Sequence, residues 1–108
     1  MNDDFAVSFD GSNDNGQMIG VVRGEIDMVT APQLDRHVEE AIARRPGGLV
    51  LEMSGVTFLD SSGCHALVRI QRRADDAGIA VELAGLNGSC LRVLEITGLT
   101  DVLTLREQ

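Results

Sequence analysis

Apolar positions along the chain fall into short alternating or continuous runs separated by helix-period stripes. Phe5, Val7 and Phe9 alternate with smaller or polar residues, the period of a half-buried strand. The stretch Asp10 to Gly16 is dense in turn formers and predicts an exposed loop. Met18 to Val22 is a continuous apolar run, as in a strand covered on both faces. A helix follows: Thr30 with Gln33 matches a capping box, Pro32 falls in the first turn, and Leu34, Val38, Ala41 and Ile42 form one stripe. Pro46-Gly47-Gly48 ends it. Leu49, Val50, Leu51 and Met53 read as a second short, buried parallel strand. Asp60-Ser61-Ser62-Gly63 then opens a helix reaching about Ala77, with Gly63, Leu67, Ile70, Ala74 and Ala77 on one side and His65, Arg69 and Arg72 on the other. Gly78 suits its C-terminal cap. Ile79, Val81 and Leu83 alternate as another strand. Asn87 caps a short helix carrying Cys90, Leu91 and Leu94, closed by Gly98. Val102 to Leu105 reads as a last short strand or a docked tail.

Strands alternating with helices predict an α/β sandwich with a mixed, largely parallel sheet and right-handed crossovers. In such a sheet the loops from strand ends to helix starts cluster along one edge, the usual place for a site. Asp27 and Asp60 both fall in such loops.

The length of 108 residues fits one domain, 1–108, with 1–4 and 106–108 expected as loose ends. With Phe5, Phe9 and Phe58 the only aromatics, the core must be aliphatic. A formal net charge of -8 argues against nucleic acid as the main partner. It suits either steering toward a basic protein surface or plain solubility. Two cysteines make no disulfide framework. With no secretory signal and no apolar run of membrane-spanning length, the expected location is the cytoplasm, with reduced thiols and no membrane insertion.

Several chemistries fail on residue type or spacing. The acidic loop at 10–16 lacks flanking helices and has Val21 where a calcium loop needs its bidentate Glu. Phosphate-loop and dinucleotide fingerprints are absent. His37, His65, Cys64 and Cys90 lack the paired spacing of a metal site. Ser61 has no elbow motif and no base and orienting acid in an evident triad, so no catalytic residue is assigned. Cys64, close to a helix N-terminus where a thiol pKa can fall, leaves a redox-responsive module with Cys90 as one alternative.

Two adjacent serines between Asp60 and Gly63 exceed what a helix cap needs. A phosphate there would meet free N–H groups and the positive end of the helix dipole. A partner docked on the same surface would face about -1.5 to -2 added charge. The chemistry therefore permits a phosphorylation switch.

With these residues in view, the chain resembles STAS-domain proteins, specifically the bacterial anti-sigma-factor antagonists. Gly24-Glu25-Ile26-Asp27 with Thr30-Ala31, the stretch Leu49 to Gly63 ending in Asp-Ser-Ser-Gly, and Leu91 to Leu99 ending in Thr97-Gly98-Leu99 carry the resemblance. It implies a single STAS-like α/β domain with four to five strands and three to four helices. It also implies partner switching in stress-responsive transcription: the unphosphorylated protein binds an anti-sigma factor that is a serine kinase and so frees the sigma factor. The kinase, using its own ATP and magnesium, phosphorylates Ser61, with Ser62 as a secondary site, and a serine phosphatase resets the switch. The partner-binding positions implied are Asp27, Thr30, Asp60, Ser61, Ser62 and Gly63, with no cofactor or metal of the chain's own. Cys64-His65 departs from the small aliphatic pair that often follows in the family. A STAS-type accessory subunit of a membrane transport complex is the other alternative.

Overall fold

The computed structural model describes residues 5–12 and 16–106. Four strands and three α-helices alternate: β1 (Ala6–Ser12), β2 (Gln17–Ile26), α1 (Ala31–Ala43), β3 (Gly48–Leu59), α2 (Ser61–Asp76), β4 (Val81–Ala84) and α3 (Gly88–Ile96), followed by a 3₁₀ turn at Leu99–Asp101. The sheet order is β1-β2-β3-β4, with β1 antiparallel to β2 and the other pairs parallel. The mixed, largely parallel sheet expected from the alternation is what forms.

Both crossovers step in the same direction across the sheet. Right-handed connections therefore carry α1 and α2 to the same face. That face holds the aliphatic core: Met18, Val22 and Ile26 of β2, Leu49, Leu51 and Met53 of β3, Leu34 and Val38 of α1, and Leu67 and Ile70 of α2. On the opposite face Val50 of β3 is buried, while Glu82 and Ala84 of β4 are only partly covered. In β2, Met18 and Val22 are buried while Ile19 and Val21 remain partly exposed, which corrects the expectation of a strand covered on both faces. A continuous apolar run is compatible with either state; only the one-sided placement of the helices decides.

Several boundaries differ from the sequence expectations, for local reasons. Strands β2 and β3 run well past their apolar cores, to Ile26 and Leu59, because each is paired along its length. β1 reaches Ser12 through an irregularity in its pairing, so part of the expected loop is strand; positions 13–15 lie outside the described residues, and Gly16, at φ +77°, accepts from Gly47 N–H (2.9 Å). Helix α2 stops at Asp76 in a Schellman motif, with Ile79 N–H on Ala74 O (2.8 Å) and Gly78 N–H on Asp75 O (3.1 Å). Gly78 adopts φ +72°, and Ala77, expected on the buried stripe, is exposed at the cap.

The carboxyl-terminal tail docks beside β4 by one parallel bridge, Leu83 to Leu105, and Leu103 is buried. Arg106, expected loose, donates its N–H to Leu83 O (2.8 Å) and its guanidinium to Glu82 (2.7 Å). The other positions of the two expected loose ends, 1–4 and 107–108, lie outside the described residues.

A rim of caps and apolar side chains at the carboxyl edge of the sheet

The parallel strands β2, β3 and β4 end at Ile26, Leu59 and Ala84, so the segments that follow them lie along one edge. β3 has 12 residues and β2 has 10. The surplus is taken up in two places: Val21 and Arg23 face Glu52 and Gly55, and Gly24 and Glu25 face Val56 and Phe58. Gly24 sits at the second irregularity with φ +101°, a backbone state that L side chains resist. That requirement explains the glycine in the Gly24-Glu25-Ile26-Asp27 segment. The bulged end leaves Phe58 half exposed beside the rim.

The turn after β2 is closed by a reciprocal pair. Asp27 Oδ1 accepts from the N–H groups of Val29 (2.9 Å) and Thr30 (3.0 Å), and Thr30 Oγ1 accepts from Asp27 N–H (2.9 Å). The Thr30 hydroxyl donates to Glu25 O (2.7 Å). This is a capping box between Asp27 and Thr30, one turn upstream of the expected Thr30–Gln33 pair. Thr30 itself has helical dihedrals and makes no cap bond into α1. It is fully buried, so it offers a partner no surface; its place is to hold the turn. Replacing Thr30 with Val keeps the shape but removes the hydroxyl's bonds to Glu25 O and from Asp27 N–H. The expected loss is about 1–3 kcal/mol, read as a shift in the urea midpoint, with Thr30→Ser retaining most of the stability.

At the end of β3, Asp60 caps α2: its Oδ1 accepts from Gly63 N–H at 2.9 Å, and its backbone is extended. Neither serine is the cap. Ser61 and Ser62 occupy the first two helical positions, Ser61 exposed and Ser62 half buried. Gly63 is buried where α2 comes closest to the sheet: a Cβ there would lie 2.6 Å from Ile26 O and 2.6 Å from Leu59 Cδ1. Like Thr30, it positions the rim and offers a partner no surface.

A groove of about 280 Å³ runs from this helix start toward α3, with Leu59, Asp60, Ser61, Cys64 and His65 on one side and Val93, Thr97 and Leu99 on the other. Three large apolar side chains are exposed in the neighbouring segments: Met28 and Val29 in the turn after β2, and Ile96 of α3, next in the chain to the groove-lining Thr97.

The sequence profile of the STAS domain matches residues 10–108. The chain belongs to the STAS domain family. It is 29% identical over 85 residues to the anti-sigma-B factor antagonist of Listeria monocytogenes, covering 79% of this chain and 75% of that protein. Its fold superposes on an anti-sigma factor antagonist from Mycobacterium paratuberculosis with a TM-score of 0.80 and 27% identity, over 95% of this chain and 87% of that one. A sulfate transporter family protein from Wolinella succinogenes is also similar, with a TM-score of 0.72 and 25% identity, over 82% of this chain and 71% of that one.

In this STAS domain the sequence-derived positions Asp27, Thr30, Asp60, Ser61, Ser62 and Gly63 gather on one edge, with Ser61 outermost in accessibility among the α2 start. Sequence reasoning missed Met28, Val29 and Ile96. Their signal was present: Met28 and Val29 are apolar residues in the turn between β2 and α1, and Ile96 lies off the Cys90–Leu94 stripe of α3, which marks side chains with no core to enter.

Cys64 and Cys90 are both buried. Burial pushes the Cys64 thiol above its ordinary pKa, and the Asp60 carboxylate and Cys90 add to this; burial also raises Cys90, against a smaller lowering by its Asn87 hydrogen bond. The place near a helix N-terminus, where a thiol pKa can fall, does not lower Cys64: burial moves it upward. A raised pKa means less thiolate, so both thiols should react with a maleimide at pH 8 at least ~10-fold more slowly than free cysteine, and at full rate in denaturant.

Among the described residues, no three His, Cys, Asp or Glu side chains converge as a metal site, and no helix is long and apolar enough to cross a membrane.

Proposed function

We propose that this chain is an anti-sigma factor antagonist controlled by phosphorylation of Ser61. In its unphosphorylated form it binds a cytoplasmic anti-sigma factor that is also a serine kinase, and so releases the sigma factor. The kinase transfers a phosphoryl group to the Ser61 hydroxyl using its own ATP and magnesium, the complex separates, and a phosphatase restores the serine. The chain performs no catalysis.

One observation carries the reading. Ser61 is exposed at the first position of α2 with the capping duty discharged by Asp60, so its hydroxyl is open to an incoming enzyme. The relatives' names support the choice of partner. The exposed Met28, Val29 and Ile96 supply apolar contact area around a hydroxyl on an otherwise acidic protein, the composition of a protein-docking surface.

Intact mass after incubation with the cognate kinase and ATP should rise by one phosphate, mapped to Ser61 and lost in Ser61→Ala. Phosphate confined to another residue, or none with an active kinase, would overturn the reading. The likeness to the W. succinogenes protein favours a second reading, an accessory subunit docking through the same edge. In that case binding would persist without any mass change.

A further inference from the structure

We infer that His65 is the internal counter-charge of a phosphate on Ser61, so that the phosphorylated state of this chain is sensitive to pH near neutrality. The inference rests on the reading of Ser61 as the modified residue and adds its regulation.

Ser61 and His65 are four residues apart on α2, which places them one above the other on the same helix face. Both are exposed and both line the groove between α2 and α3. A phosphate on Ser61 would stand beside the Asp60 carboxylate, so the modified rim carries concentrated negative charge. Among the groove-lining side chains His65 is the one able to become a cation. Arg69, the next basic residue along this face, is held by Asp35 of α1 through two hydrogen bonds of 3.2 and 2.8 Å.

The charged or titratable groups around this part of α2 are Asp60, the buried thiol Cys64 and Arg69 on the helix itself, and Asp35 of α1, which packs against it and binds Arg69. From across the groove come Val93, Thr97 and Leu99, none of which carries charge. The Asp27 carboxylate of the neighbouring turn already accepts from two amides. Asp60, Asp27 and Asp35 each already accept hydrogen bonds, from Gly63 N–H, from two amides and from Arg69, so a phosphate on Ser61 is the new acceptor beside His65.

A dianion beside an imidazole favours the protonated ring, and the ring favours the dianion. By linkage each group moves the other's midpoint, the histidine's upward and the phosphate's downward. The phosphate's second ionisation lies at about pH 6, so dianion and imidazolium coexist, and the pairing is strongest, in a window between that step and the histidine midpoint. That contribution is lost as pH rises through the raised midpoint.

The test uses protein with phosphoserine installed at position 61 during translation, so it does not depend on any kinase. The chain has two histidines, and His37 on α1, outside this groove, serves as the reference. In proton NMR titrations the His65 midpoint should rise by about half to one pH unit on phosphorylation while His37 stays in place. The phosphorus-31 midpoint of the phosphoserine should be lower in wild type than in His65→Gln. Equal movement of both histidines, or a phosphorus midpoint indifferent to His65→Gln, would overturn the inference. If the coupling appears but no kinase modifies Ser61, the proposed function fails and the pairing stands; the reverse pattern removes the pairing alone.

Discussion

Ser61→Asp is expected to bind the anti-sigma factor at least about a hundredfold more weakly than wild type, while Ser61→Ala binds as wild type does. A penalty of ~3 kcal/mol at the interface suffices for that factor. The physical asymmetry lies between monomer and complex. In the free domain a negative charge at the first position of α2 sits at the positive end of the helix dipole, where carboxylates stabilise by about 0.3–1 kcal/mol. The backbone N–H groups of Ser61 and Ser62 have no protein acceptor among the described residues, so charge there meets unspent donors. In the complex the same charge must lose its water beside Asp60 and against a surface containing Met28, Val29 and Ile96. Thermal melts of Ser61→Asp should match or slightly exceed wild type, and calorimetric titration should show the loss of affinity. A folded Ser61→Asp protein that binds as tightly as wild type would remove the switch.

Gly63→Ala is expected to lower stability by about 2 kcal/mol, from the typical cost of overpacking a tight site. For a domain of this size that corresponds to a fall in Tm of roughly 8–16 °C. The added methyl would meet Ile26 O and Leu59 Cδ1, each at 2.6 Å, and Ile26 Cγ2 at 3.0 Å. Side chains can give way, but Ile26 O belongs to β2 and also accepts from Asp60 N–H at 3.3 Å. The helix must therefore move away from the sheet, which disturbs both the Asp60 cap and the presentation of Ser61. Alanine ordinarily stabilises a helix relative to glycine by up to about 1 kcal/mol, so a measured gain in stability would show that α2 has room at this point.

The two predictions act on the same helix start, at Ser61 through charge and at Gly63 through packing. Only the first leaves the monomer intact. Measuring both affinity and Tm for each variant separates loss of the docking surface from loss of the fold.

Much of the frame was legible in the linear pattern. The stripes Leu34–Val38–Ala41 and Gly63–Leu67–Ile70–Ala74 face the core as their spacing requires, and Asn87 caps α3 through Cys90 N–H at 2.9 Å. Helical and extended periodicities are set by local geometry, so local sequence reports them. The first-turn reading failed at Thr30 because two overlapping capping patterns were available, Asp27 to Thr30 and Thr30 to Gln33. The upstream one formed because Glu25 O, at the bulged end of β2, needed the buried Thr30 hydroxyl. The Cys64 thiol shows a related limit: the helix dipole is visible in sequence, while burial by neighbouring elements is not.

Chain order and residue type alone settled the alternation of strands and helices, an aliphatic core, and a short acidic-serine segment between a strand and a helix. Such properties depend on residues within a turn or two of each other, so they survive being read in one dimension. Which face of the sheet the helices cover, which carboxylate caps which amide, and that His65 shares a groove with Ser61 and α3 were decided only when the chain closed. Those outcomes come from contacts between segments distant in sequence, and packing selects among patterns that are locally equivalent.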